Sequence, residues 1–452
     1  MRVHLLLVAL LLQVPSIAQA EVYERTLSNG LKVIVKEDHR APVLVQQVWY
    51  HAGSMDERTG TTGVAHVLEH MMFKGTTDVP VGQFSKLIAA AGGRENAFTS
   101  YDHTAYFQQL DKSRLALAMK LESDRMHNLR LAKNEFDKEI KVVMEERRWR
   151  TDDDPHALLS EELMAAAYRE HPYHNPVIGW MGDLKNMTDA DAQDWYKTWY
   201  APNNATLVIA GDVKADEVFA LAQKYYGGIR AAKLPQRKAV SEAPQLGIQR
   251  IVVKAPAELP YFVMAWHAPS LRDAEKDWKP YALEVLAGVL DGNSSARLDK
   301  ALVHDQQVAM DIGASYDSVA RGPSLFELEG TPREGKTVGD LEAAVREQLA
   351  LLVRDGVSVE ELQRVKAQVM ANEVYKRDSV FYQAMQIGQL ESDGLSYKDI
   401  PVMLQKLQAV TAQQVQEVAR EIFNDDQLTV AVLDPQPLSD KPKHARGAFD
   451  AR

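Results

Sequence analysis

Alternating apolar and polar positions near the start of the chain predict β-structure. Two alternating runs within residues 25–35 flank Asn29-Gly30, a pair typical of the type I′ turn of a β-hairpin. A strand rich in valine and aromatic residues is predicted over residues 42–51. Two short strands are predicted at 96–100 and 104–110, joined by a polar turn.

Apolar residues spaced three and four apart predict helices between and after these strands. The first two are predicted over 63–73 and over 81–91, where a glycine pair ends the pattern. A buried strand is predicted over 205–210. Further amphipathic stretches predict helices at 112–128, 133–150, 156–168 and 188–199. Strands and helices in this mixture indicate an α+β fold.

The order of elements occurs twice along the chain. Residues 42–54 (PVLVQQVWYHAGS) are similar to residues 260–270 (PYFVMAWHAPS), and 201–212 are echoed by 424–435. The similarity is weak, but its order is the same in both halves. We therefore predict two homologous α/β units, each a mixed, mostly antiparallel sheet with helices packed on one face.

Residues 231–247 contain two prolines, few apolar residues and no period, which is typical of an interdomain linker. The linker divides the chain into an N-terminal unit at 21–230 and a C-terminal unit at 248–434. Prolines and charges in residues 435–452 predict a flexible tail.

The first twenty residues are typical of a secretory signal peptide. Arg2 precedes an apolar run at 5–14, and Ala18-Gln19-Ala20 forms a small-x-small cleavage site. The run is about half as long as a bilayer span, so cleavage is favoured over a retained anchor. No later segment is apolar enough to predict a stable membrane span. The chain has no cysteine, which excludes disulfides, thiolate metal sites and a lipid-anchored N-terminus. We expect export to a bacterial periplasm.

Composition narrows the classes of partner. The net charge of −11 over 452 residues argues against nucleic acid as the main partner, because phosphate binding requires an excess of lysine and arginine.

The candidate chemistry lies at residues 66–70 (HVLEH) of the helix predicted over 63–73. Positions i and i+4 share one helix face, so His66 and His70 can reach a single ion. Glu69 lies beside that ion, where its carboxylate can take a proton from a bound water. Imidazole and carboxylate ligands with one open position are typical of catalytic zinc.

A histidine pair at this spacing also occurs by chance on solvated helix faces. Three ionisable groups on an apolar helix are costly without an ion or partners, however, so the pattern favours metal binding. The apolar neighbours here are Val64, Ala65, Val67, Leu68, Met71, Met72 and Phe73.

Spacing alone leaves the third ligand open. Glu139 and Glu146 share a helix face about 10 Å apart, and Glu145 points about 100° away from Glu146. The candidates on the helix predicted over 133–150 are Glu135, Glu139, Glu145 and Glu146.

With these motifs, the chain resembles the pitrilysin, insulinase and mitochondrial-processing-peptidase family, whose zinc motif is the inverted HxxEH. The resemblance covers essentially the whole mature chain. It is carried by residues 63–76 (GVAHVLEHMMFKGT), 96–100 with 102–106 (NAFTS, DHTAY), 139–147 (EIKVVMEER) and the asparagine-rich strand at 203–211.

The resemblance implies roles for individual residues. Glu146 becomes the third ligand beside His66 and His70, with one zinc per chain. Glu69 becomes the catalytic base, and Glu139 a second catalytic carboxylate near the site.

The resemblance also implies a substrate-binding strand. Asn96, Ala97 and Phe98 match the edge strand on which the family binds its peptide substrate by β-augmentation. The same residues are also compatible with an ordinary sheet edge that needs covering.

The second half resembles the family's inactive repeat, because residues 281–285 (YALEV) replace the zinc motif. Active members carry an arginine and a tyrosine in this half. Their positions fall on Val303 and Met310, neither of which can donate a hydrogen bond to an oxyanion. A slip in the loop would bring Tyr316 into consideration instead. We therefore expect a heterodimer in which a homologous subunit without the zinc motif supplies the missing pair.

These expectations combine into a zinc-dependent endopeptidase that cleaves extended peptides. The alternative is a non-catalytic peptide-binding or scaffold subunit, which would usually have lost a ligand or the glutamate. A different zinc hydrolase, such as an amidase, is disfavoured by the match to the substrate strand.

Overall fold

The computed structural model describes residues 22–438. The predicted signal peptide at 1–20 and residues 439–452 of the predicted tail lie outside the described residues. No helix within the described range has the length and apolar character needed to cross a bilayer.

The described strands form two sheets. Those of the first sheet are Val22–Thr26 (β1), Lys32–Glu37 (β2), Val43–Tyr50 (β3), Arg94–Thr99 (β4), Thr104–Asp111 (β5) and Ala205–Gly211 (β6). Those of the second are Gln249–Pro256 (β7), Tyr261–Ala268 (β8), Ala309–Tyr316 (β9), Ser324–Pro332 (β10) and Leu428–Gln436 (β11). The last strand ends at Gln436, so the first two residues that we assigned to the tail belong to the second sheet.

The two sheets share one topology. The first has the order β1-β2-β6-β3-β5-β4 and the second the order β7-β11-β8-β10-β9. In each, one pair is parallel, β2 with β6 and β7 with β11, and the other pairs are antiparallel. Two homologous units with mixed, mostly antiparallel sheets are therefore confirmed. The second sheet has no described counterpart of β1.

Fourteen helices are described. Those before the second sheet are Val64–Met71 (α1), Gln83–Ala90 (α2), Leu115–Asn128 (α3), Lys133–Arg147 (α4), Pro155–Ala167 (α5), Met181–Asn186 (α6), Asp189–Trp199 (α7) and Ala215–Tyr226 (α8). The others are Lys279–Leu290 (α9), Val338–Asp355 (α10), Val359–Lys376 (α11), Val380–Ser392 (α12), Ile400–Ala409 (α13) and Ala412–Ile422 (α14). A π-helical turn at Arg148–Asp152 extends α4.

Helices cover both faces of each sheet, so the prediction of helices on one face was incomplete. Each half packs its own helices on one face, and the other half supplies a helix to the opposite face. Helix α12 of the second half lies on β3 and β6, and α5 of the first half lies on β7 and β11. The approach is close, since a Cβ on Gly388 of α12 would lie 2.0 Å from Nε1 of Trp49. This exchange explains why β6 is buried along its whole length.

The predicted hairpin is confirmed, but its turn type was wrong. The β1–β2 connection spans residues 27–31, and Gly30 has a positive φ of 91° whereas Asn29 does not. A type I′ turn requires positive φ at both central residues. Asn29 instead donates its side-chain amide to the carbonyls of Tyr226 and Ile229, at 2.8 and 2.9 Å, and so anchors the end of α8.

Candidate metal centre

The helix that carries the HVLEH motif starts at a constrained glycine. Gly63 precedes α1 with a φ of 88°, and a Cβ there would lie 2.5 Å from the carbonyl oxygen of Ile178. The Glu57 carboxylate accepts hydrogen bonds from the backbone N–H groups of Gly63 and Ala65, at 2.7 and 2.8 Å. A carboxylate at a helix N-terminus satisfies orphan donors and complements the helix dipole. These contacts fix where α1 presents its histidines.

The structure brings His66, His70 and Glu146 together. Oε2 of Glu146 lies 3.8 Å from Nε2 of His66 and 3.2 Å from Nε2 of His70. The candidate ligand atoms of all three lie within 4.8 Å of one another. Two ligands about 2.1 Å from a tetrahedral zinc are roughly 3.4 Å apart, so the set fits that ion.

The local charge also favours a cation. Burial lowers the pKa of His66 to about 3, so this ring is neutral at pH 7. Burial opposes the charged form of His70 too, but hydrogen bonds to Glu139 and Glu146 outweigh it and raise its pKa to about 9. Burial disfavours the charged form of Glu146, yet contacts with both histidines hold its pKa down, at about 2. His66 and Glu146 thus have the neutral nitrogen and the ionised carboxylate that a metal requires, whereas His70 must release its proton when a metal binds.

Glu139 lies behind the candidate ligands. Its Oε1 is 3.0 Å from Nδ1 of His70, and its Oε2 accepts a salt bridge of 2.6 Å from Lys74. This contact leaves Nε2 of His70 facing Glu146. Glu139 therefore orients a candidate ligand, in the manner of the carboxylate–histidine pairs of many zinc sites.

The other glutamates considered from spacing point elsewhere. Glu145 pairs with Arg148, and Glu135 accepts a bond of 2.7 Å from Lys138 on the exposed side of α4. Arg150, in the π-helical turn, lies 2.8 Å from Oε1 of Glu146 and holds the carboxylate from its other side.

Glu69 faces the sheet. The hydroxyl of Thr99 donates a hydrogen bond of 2.5 Å to its Oε2. Burial raises the pKa of Glu69, and the bond from Thr99 opposes that shift. A buried carboxylate with a raised pKa is suited to exchanging protons near neutral pH.

Asn96, Ala97 and Phe98 lie on β4, the edge strand of the first sheet. No strand among residues 22–438 pairs with its outer edge. Phe98 packs edge-on against Trp49, with ring centroids 5.4 Å apart, and Ala97 packs against the core on the opposite face. The next residue, Thr99, makes the bond to Glu69, so the free edge runs directly to the candidate base.

A cavity of about 250 Å³ lies past the end of β4, between the turn that follows the strand and α5. It is lined by Tyr101, Thr151, Ala157, Ser160, Glu161, Met164, Pro176, Val177 and Ile178.

The second half places a glutamate at the position corresponding to Glu69. Glu284 on α9 accepts a hydrogen bond from Ser318. Val303 is partly buried in the second core, and Met310 is 52% exposed on the edge strand β9. The hydroxyl of Tyr316 donates to the carbonyl of Pro269. Tyr316 thus has an internal partner, and the other two side chains carry no donor.

Several residues of this site were not predicted from the sequence. Thr99 lies inside the NAFTS motif but carries no signal of its contact with Glu69. Lys74 lies beyond the end of α1 at Met71, so helix spacing does not predict that it shares Glu139 with His70. Glu57 and Arg150 gave no recognisable signal.

Two family models match successive parts of the chain. A family model described as Insulinase (Peptidase family M16) matches residues 32–180, and one described as Peptidase M16 inactive domain matches residues 186–369. The zinc protease PqqE of Helicobacter pylori is 30% identical over 420 residues, which is 91% of this chain and 92% of that protein. The uncharacterized zinc protease YmxG of Bacillus subtilis is 25% identical over 411 residues, covering 91% of this chain and 97% of that protein.

Solved structures show the same fold. A protease from Helicobacter pylori superposes with a TM-score of 0.87 at 28% identity, covering 92% of this chain and all of that chain. The periplasmic protease PqqL of Escherichia coli gives a TM-score of 0.77 at 19% identity, over 96% of this chain and 52% of that chain. The chain belongs to the insulinase family, peptidase family M16, in its small bacterial form.

Proposed function

We propose that the chain is the zinc-binding subunit of an endopeptidase that cleaves extended peptides. The observation that carries this proposal is the convergence of His66, His70 and Glu146 next to Glu69, at the free edge of β4. The zinc-protease names of the relatives support it.

His66, His70 and Glu146 would hold one zinc per chain. Bound there, zinc would supply a Lewis acid for the scissile carbonyl and for water. Glu139 keeps His70 oriented through Nδ1, and Arg150 steadies the carboxylate of Glu146.

Glu69 acts as the proton carrier. Its carboxylate takes a proton from the attacking water and returns it to the nitrogen of the departing amine. Thr99 binds Oε2, so we assign Oε1 to the proton transfer. The raised pKa of this buried glutamate suits both halves of the cycle.

The peptide binds as an added strand. Its backbone hydrogen-bonds to the outer edge of β4 along Asn96, Ala97 and Phe98, which restricts the substrate to extended or unfolded segments. The cavity past β4 takes one side chain of the same peptide, since Tyr101, two residues beyond the end of the strand, lines it.

A homologous partner subunit completes the site. Val303 and Met310 carry no donor for the tetrahedral oxyanion, and the hydroxyl of Tyr316 is bonded to Pro269. We assign the missing arginine and tyrosine to the partner. The pairing is compatible with PqqL, of whose chain the present one covers about half. The signal-like segment at 1–20 supports a periplasmic location.

The absence of that donor pair also favours one alternative, a peptide-binding scaffold subunit. Glu69→Gln distinguishes the two, with Glu145→Gln as the matched control because Glu145 pairs with Arg148 away from the histidines. Metal content and cleavage of an unfolded peptide are measured for each variant, with the partner added. The endopeptidase proposal expects one zinc in all chains and loss of cleavage in Glu69→Gln alone. Zinc binding with no cleavage dependent on Glu69 would favour the scaffold.

A further inference from the structure

The turn that follows β4 is fixed by backbone hydrogen bonds and by close backbone packing. Residues 100–103 connect β4 to β5, and the backbone N–H groups of Ser54 and Met55 donate to the carbonyls of Ser100 and Tyr101, at 3.1 and 2.9 Å. The backbones are so close here that a Cβ on Gly53 would lie 2.5 Å from the Ser100 oxygen. These contacts come from the same half as β4.

The second half also hydrogen-bonds to this turn, through Arg321 in the β9–β10 loop. The carboxylate of Asp102 accepts from the hydroxyl of Tyr173 at 2.6 Å and from the backbone N–H of Arg321 at 3.1 Å. The Arg321 guanidinium donates to the Asp102 carbonyl and to Asp56, each at 2.9 Å. Asp102 is 7% exposed and the Arg321 side chain 15%. Charged hydrogen bonds at this depth hold geometry better than exposed ion pairs do.

A second contact reaches the same turn. His103 lies 3.2 Å from Asp393, which follows the end of α12, and both are buried. The residue that bonds to Glu69, Thr99, immediately precedes this turn. The half without zinc ligands therefore reaches within three residues of a contact to the candidate base.

We propose that Arg321 is a positioning residue for the peptide-binding strand. It acts through the turn at 100–103, fixing the outer edge of β4 for the peptide and the hydroxyl of Thr99 for Glu69. This role rests on the proposed function. Through Arg321, the second half contributes to peptide binding although it carries no zinc ligands.

A general role in joining the halves is the competing explanation, and Lys32 offers a matched control. Lys32 on β2 makes a salt bridge of 2.7 Å to Glu391, another contact between halves. It lies on the opposite side of the first sheet from β4. Lys32→Gln therefore removes an ion pair between the halves without touching the turn.

The test compares Arg321→Gln, Arg321→Lys and Lys32→Gln in the full chain. Amide hydrogen exchange of residues 94–104 is measured first, because it reports local opening whether or not cleavage occurs. Binding of an unfolded peptide is then measured in a Glu69→Gln background, followed by KM and kcat with the partner present.

We expect exchange within 94–104 to accelerate about tenfold or more in Arg321→Gln and not in Lys32→Gln. Peptide affinity and kcat/KM should fall about 10- to 100-fold, with unchanged zinc content. Arg321→Lys keeps a charge near Asp56 and should recover part of the loss. If Arg321→Gln does not fold, the lysine variant must show the same localised exchange for the proposal to stand.

Equal effects of Arg321→Gln and Lys32→Gln, or unchanged exchange in 94–104, would overturn the positioning role. Failure of the proposed function has a different signature. The wild-type chain would then neither bind nor cleave the peptide with its partner present, whatever the exchange of residues 94–104 shows.

Discussion

The hydroxyl of Thr99 lies 2.5 Å from Oε2 of Glu69 and donates a hydrogen bond to it. This bond joins β4, the strand on which we place the peptide, to α1, the helix that carries two candidate ligands. The strand proposed to bind the peptide is therefore hydrogen-bonded directly to the glutamate proposed to transfer the proton. The bond also lowers the pKa of Glu69 against the effect of burial.

Thr99→Val should slow cleavage without abolishing peptide binding. Valine keeps the shape of the side chain but cannot donate to Glu69, so we expect kcat to fall about 10-fold or more while KM changes little. Loss of the bond raises the pKa of Glu69, so the acid limb of the rate profile should move to higher pH. Steady-state kinetics from pH 5 to 9 measure both effects.

Thr77→Val is the control for that experiment, because Thr77 is an exposed threonine outside the site. It should leave the kinetics unchanged. An unaltered pH profile in Thr99→Val would show that the Thr99 hydroxyl does not influence proton transfer by Glu69.

Glu139→Gln should weaken metal binding more than it changes the fold. The carboxylate contacts Nδ1 of His70 and Lys74, and replacing such a partner typically costs 10- to 100-fold in metal affinity. Competition with a chromophoric chelator measures the affinity. Glu145→Gln is the control on the same helix and should bind zinc like the wild type. Equal zinc affinity in the two variants would show that Glu139 does not contribute to metal binding.

Much of this site could be predicted from the sequence because its key contacts are local. His66 and His70 are four apart on one helix, and Glu139 and Glu146 are seven apart on another, so helical geometry alone aligns each pair. The choice of Glu146 as ligand needed the resemblance, since spacing left four glutamates open. The repeat of element order likewise predicted two sheets of similar topology.

The remainder depends on contacts that no local pattern encodes. Arg321 and Asp102 are 219 positions apart, and nothing in either neighbourhood marks the other. The exchange of α5 and α12 between halves was missed because an amphipathic pattern shows that a helix is half-buried but not against which sheet. The side chain of Asn29 replaced the predicted turn geometry with a bond to α8.

Gly63→Ala should destabilise the chain because two costs act together. The residue has a φ of 88°, and its Cβ would meet the carbonyl of Ile178 at 2.5 Å. We expect a loss of at least about 2 kcal/mol in the free energy of unfolding. Gly60→Ala is the control, since Gly60 has a φ of 94° but no neighbour within 4 Å, and it should lose about 1 kcal/mol. Urea unfolding compares them, and equal losses would show that the contact with Ile178 relaxes.

Glu284→Gln should stabilise the chain at alkaline pH and not at acid pH. Burial raises the pKa of Glu284 from 4.5 to about 7, although Ser318 donates a hydrogen bond to it. Between these values the folded chain keeps a proton that the unfolded chain has released, so stability falls as the pH rises through this window. The cost is complete from about pH 8 upwards and amounts to about 3 kcal/mol.

Glutamine cannot ionise and still accepts the bond from Ser318, so it should avoid this cost. Urea unfolding of the wild type and Glu284→Gln should give similar free energies at pH 4 and a more stable variant at pH 8. Glu347→Gln, at an exposed position on α10, controls for removal of one negative charge and should show no such pH dependence. The positive charge of Lys376 acts on Glu284 and lowers its pKa against the effect of burial. A Glu284→Gln chain that is no more stable than the wild type at pH 8 would mean that this charge already compensates the buried carboxylate.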